Sequence, residues 1–128
     1  MDHYSYIREN YKKTVASLVV AVKECTGDPS DLMIDGLIQR FEFCTDFALK
    51  SCTEYLDTAG HRIEGTPKVV LKKASDIQLI DNLDLWFQIV ADRETTAQIY
   101  DKSAARRIMS NVKRDYISLF QDLSKRFS

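Results

Sequence analysis

Residues that interrupt helices are scarce in this chain: four glycines and two prolines among 128 residues. A β-rich fold of this length needs far more turn chemistry, so the scarcity favours helices. Three cysteines, Cys25, Cys44 and Cys52, are odd in number and lack CxxC spacing. On one helix, Cys44 and Cys52 would stand roughly 12 Å apart, too far for a disulfide. Only His3 and His61 are available beside them, so neither a metal site nor any other cofactor is expected. The cysteines read as small core hydrophobes in reducing surroundings. A polar, mixed-charge start offers no signal peptide, and no apolar run approaches membrane-span length. The expectation is a cytoplasmic protein without membrane association. The net charge of −1 exerts no global pull toward nucleic acid. There is no Gly-rich phosphate loop, no HExxH and no GxSxG.

What is present is an ordinary globular composition, 45% hydrophobic and 29% charged. The length suits one domain over residues 1–128, large enough to bury a core without staples. Charge is unevenly spread: residues 93–128 hold eight basic and four acidic side chains, residues 1–65 seven basic and eleven acidic. A positive end can steer an anion such as RNA or a nucleotide, although a solvated helix face is the plainer reading.

Hydrophobic spacing divides the chain into helices. Tyr4, Ile7, Tyr11, Val15, Leu18, Val19 and Val22 form one stripe over about residues 3–25, closed by Gly27-Asp28-Pro29. Ser30 or Asp31 can cap a second helix to about Thr58, with Met33, Leu37, Phe41, Cys44, Ala48, Cys52 and Tyr55 on its apolar side. Glu42, Asp46 and Lys50 follow at i, i+4 on a more polar face. Thr66-Pro67 opens a short helix, with the threonine able to accept amide hydrogen bonds. Asp81 or Asn82 caps another to about Thr95. Asp101 or Ser103 opens a long last helix through Ile108, Val112, Tyr116, Leu119, Leu123 and Phe127. Short connections favour antiparallel neighbours, so the expected fold class is all-α, an antiparallel up-and-down four-helix bundle with an extra short helix.

Two segments point further. The run Ile38-Gln39-Arg40-Phe41-Glu42-Phe43 combines aromatic positions with an Arg/Glu pair. Later come Leu85-Trp86 and the turn Asp92-Arg93-Glu94-Thr95-Thr96-Ala97-Gln98-Ile99-Tyr100-Asp101. Together these resemble the nucleotidyltransferase substrate-binding protein family of the HEPN superfamily. Its members carry an IQRFEF-type segment on the second helix, a tryptophan, then an Arg-Asn-x-x-x-His-x-Tyr-Asp turn before the last helix.

The resemblance implies a homodimeric bundle partnered by a minimal nucleotidyltransferase in a toxin–antitoxin pair. In such pairs the HEPN protein can be a metal-independent RNase toxin, silenced when the nucleotidyltransferase adds AMP to the motif tyrosine. By position, Arg93 matches the motif arginine, Tyr100 the AMP acceptor and Asp101 the residue after it. Arg40 and Glu42 join Arg93, Tyr100 and Asp101 as candidates for binding RNA or a nucleotide. Trp86 and Phe41 read as core.

Two departures bear on activity. Gln98 stands where the family has histidine, and Glu94 where it has asparagine. Imidazole titrates near neutral pH and can move protons to and from RNA oxygens. Glutamine cannot titrate, although it can hydrogen-bond. Glu94 brings a carboxylate that competes with phosphate for a guanidinium. The expectation is a catalytically impaired partner subunit, with Arg93 at the catalytic arginine position and Gln98 at the degenerate histidine position. The alternative is an RNase toxin silenced by AMP transfer to Tyr100.

Overall fold

Ser30 has an extended backbone (φ −67°, ψ 161°), and its side chain accepts from the Met33 amide. That cap starts α2, Asp31–Thr58, the longest helix of the chain. Before it, α1 spans His3–Glu24, and Gly27 turns the chain at φ 65°. After it, Gly60 takes φ 87°, the left-handed conformation that glycine adopts without penalty just past a helix end. The computed structural model describes residues 3–63, 65–98 and 101–127, with side chains in α1 from Ser5 onward.

The short α3 is Pro67–Asp76, with proline in its first turn. Thr66 precedes it as expected, but its hydroxyl makes no cap bond; its carbonyl accepts from Val69 and Val70 instead. Helix α4 is Leu83–Gln98, extending three residues past Thr95. Asp101 caps α5, Lys102–Asn111, by accepting from the Ser103 amide. The expected long last helix is continuous but contains one π-helical turn, Val112–Tyr116, before α6, Ile117–Arg126. No strand occurs among the described residues.

Side-chain contacts fix the directions. Arg40 donates to the Ser17 carbonyl and Cys25 meets the Met33 carbonyl, so α1 and α2 run antiparallel. Tyr11 reaches the Phe120 carbonyl while Lys113 reaches that of Cys25, which sets α1 against α6 head to tail. Arg93 meets Asp46 and Thr96 meets Glu42, so α4 opposes α2. The α5–α6 rod lies parallel to α2, from Lys102 beside Asp31 to Phe127 beside Tyr55. This is an up-and-down bundle of four helical rods with α3 as the extra short helix.

The core is aromatic at its centre. Phe41 stacks on Tyr116 (5.9 Å between ring centroids), and Trp86 meets Phe120 edge-on (5.6 Å). Trp86 and Phe41 are therefore core, as expected. Cys25, Cys44 and Cys52 are free and buried; burial pushes the Cys52 thiol up to about 12. One position departs from the expected stripe: Met33 is 40% exposed, and Ile34 takes the buried place. Met33 falls on the first turn, where Ser30 fixes the helix phase.

Candidate functional site

The motif segment from Arg93 to Gln98 is helical, forming the end of α4, packed between α2 and α5. Arg93 is held by two carboxylates of α2. Its Nε and Nη2 donate to the two carboxylate oxygens of Asp46, both at 3.0 Å, a two-pronged fork. Its Nη1 donates to Glu42 Oε2 at 2.8 Å. Thr96 Oγ1 completes the cluster at 3.0 Å from the same Glu42 oxygen. The Asp46 fork, with Glu42 adding to it, raises the Arg93 pKa above its ordinary value. The cluster is half-buried, which screens it less than a surface pair.

Asp92, the preceding residue, faces the opposite neighbour. Its carboxylate is buried and accepts from Arg107 Nη1 (3.0 Å), Asn111 Nδ2 (3.1 Å) and Tyr116 Oη (2.5 Å). Asn111 and Tyr116 are five residues apart, about 140° around a regular α-helix. The π turn winds that interval more loosely and brings both onto one face, where both reach Asp92 Oδ2. Burial, and then the bond to Asp92, raises the Tyr116 phenol well above its usual range.

The other sequence-derived candidates are dispersed. Arg40 is turned onto α1, donating to the Ser17 carbonyl at 3.0 Å, while Glu42 points to Arg93. Arg40 and Glu42 therefore do not pair, because residues two apart on a helix point in different directions. Gln98 and Glu94 are exposed. The carboxylates that occupy the guanidinium are Glu42 and Asp46, one helix away. Tyr100 lies outside the described residues. Asp101 is the α5 cap and also borders a cleft. That cleft, about 500 Å³, runs between α2 and α5; Glu42, Thr95 and Thr96 close one end and Leu32 flanks the other. His61 sits beyond the end of α2, roughly 18 Å of helix or more from Asp46, and so is no substitute imidazole.

Sequence reasoning missed Asp46 and Thr96 as partners of Arg93, and Asp92, Arg107, Asn111 and Tyr116 as a second network. The i, i+4 spacing of Glu42 and Asp46 was the available signal. Among the described residues no group of three or more His, Cys, Asp or Glu side chains is arranged to hold a metal. No helix there is long and apolar enough to cross a membrane.

The fold and site define a helical bundle whose motif arginine is clamped between its second and fourth helices. Residues 8–128 match the family described as nucleotidyltransferase substrate binding protein like, and the chain belongs to that family. The chain is also similar to the crystal structure of a protein from Thermus thermophilus. The two are 28% identical with a TM-score of 0.81, over 91% of this chain and 97% of that one. No curated protein matches the chain.

Proposed function

We propose that the chain is the non-catalytic partner subunit of a minimal nucleotidyltransferase, acting as a homodimer in a toxin–antitoxin-like pair. The observation that carries this reading is the family match over residues 8–128. The state of Arg93 supports the non-catalytic part. A guanidinium forked onto Asp46 and bonded to Glu42 has few donors left for a scissile phosphate. Gln98 adds the absence of a titrating acid–base group. Exposed Tyr6 and Val20 on α1 are apolar surface that a second copy can cover.

In the same reading Tyr100 is the AMP acceptor, a role that rests on the motif. Its phenol oxygen attacks the α-phosphorus of ATP and forms a phosphoester. The bond from that phosphorus to the bridging oxygen breaks, pyrophosphate leaves, and the phenolic proton passes to solvent. The test pairs two measurements on purified protein. Wild type incubated with RNA in a chelator leaves the RNA intact, and Gln98→His isolates the contribution of the missing imidazole. Incubation with the nucleotidyltransferase and ATP adds the mass of one adenylyl group, lost in Tyr100→Phe. Cleavage by wild type that disappears in Arg93→Ala overturns the reading in favour of the RNase.

A further inference from the structure

The cleft between α2 and α5 has the wrong charge for the ligand that the basic C-terminal third suggests. Small residues, Gly36, Ala104 and Ala105, are part of its lining and leave room for about 500 Å³ of open volume. Ile38 and Ile108 give it apolar walls, and Leu32, 82% exposed, extends the apolar surface outward. Its charged lining is Asp35, Glu42 and Asp101; no Lys or Arg lines it among the described residues. The neighbouring cations already bind carboxylates, and one of those, Glu42, belongs to the lining. Arg93 is divided between Glu42 and Asp46, and Lys102 and Arg106 both reach Asp31. Both bonds to Glu42 fall on Oε2, so the second oxygen can accept from a donor in the cleft. Phosphate placed here meets carboxylates; a guanidinium or ammonium on an apolar stem meets complementary charge and a surface for its methylenes.

We propose that this groove docks a basic, amphipathic segment of the partner protein rather than RNA or a nucleotide. The inference rests on the reading of the chain as a partner subunit. Docking there would bring the partner next to the end of α4 and to Asp101, since Thr95, Thr96 and Asp101 line the groove.

Gly36→Leu tests it without threatening the fold. Gly36 is helical, a Cβ there meets nothing within 4 Å, and leucine is the better helix former. Amide NMR of the full chain is followed during titration with two probes, an amidated Arg-Leu-Leu-Arg peptide and AMP. The peptide shifts the Gly36 and Ala104 amides and AMP does not. Gly36→Leu, with helicity unchanged, weakens the peptide at least tenfold, and so does Asp35→Lys. Shifts from AMP alone, no shifts from the peptide, or equal affinity in both variants overturns the proposal. Co-purification from the native host separates the two levels. If wild type recovers no nucleotidyltransferase, the partner reading fails. If wild type and Gly36→Leu recover it equally, that reading stands and the groove assignment falls.

Discussion

Asp92 and Arg93 are adjacent in sequence, yet different helices hold them and their loss should be felt differently. Arg93 faces α2 in a partly exposed cluster, where solvent still reaches and partly screens each ion pair. Asp92 faces the π turn, where it is 4% exposed and satisfies Asn111 and Tyr116. Removing it strands polar groups that water cannot reach, at about 1–3 kcal/mol for each buried group left unpaired. Urea unfolding followed by circular dichroism should therefore rank Asp92→Ala as the costlier change, by about 3 kcal/mol. Arg93→Ala should cost about 1 kcal/mol or less. A larger loss from Arg93→Ala would mean that the clamp is a stability element first, rather than a device that keeps the guanidinium occupied.

At the scale of elements, the caps separate two residues that look alike in sequence. Ser30 accepts from the Met33 amide, whereas the Thr66 hydroxyl makes no cap bond. Ser30→Ala should cost about 1 kcal/mol. Thr66→Ala should stay within about 0.5 kcal/mol. Equal losses in thermal denaturation would refute the distinction. Much of this level was legible beforehand. Sparse breakers, Ser30, Thr66-Pro67, Gly60 and Asp101 mark the helix ends because capping is local chemistry that a few neighbouring residues decide. The π turn was not legible, since Asn111 to Tyr116 reads as ordinary helix until Asp92 is brought opposite it. The Arg93 clamp was hidden for the same reason: Glu42 and Asp46 form a polar helix face whose partner is some fifty residues away. The family motif did point to Arg93 and Asp101, and both border the cluster or the cleft. Arg40 shows the limit of such reading, because adjacency in a motif says nothing about which side of a helix a residue takes.

For the whole molecule, the bundle closes around phenols that depend on staying neutral. Tyr11 donates to the Phe120 carbonyl and Tyr116 to Asp92, and burial raises both pKa values above the ordinary tyrosine value of about 10. In the unfolded chain both ionise near pH 10, while in the folded chain they keep their protons. The stability they provide is complete below about pH 10 and declines as pH rises above it. Melting temperature should therefore fall steeply on the alkaline side, and Tyr11→Phe should flatten that fall. A flat profile to about pH 11 would contradict the burial of these hydroxyls.

The same molecular scale carries the central claim, that the fold serves a partner rather than a reaction of its own. The most direct measurement is purification of the tagged chain at native expression from its host, followed by identification of whatever accompanies it. Stoichiometric recovery of a nucleotidyltransferase together with a second copy of the chain is the expected result. Recovery of the chain without a nucleotidyltransferase, at concentrations where it is folded, would contradict it.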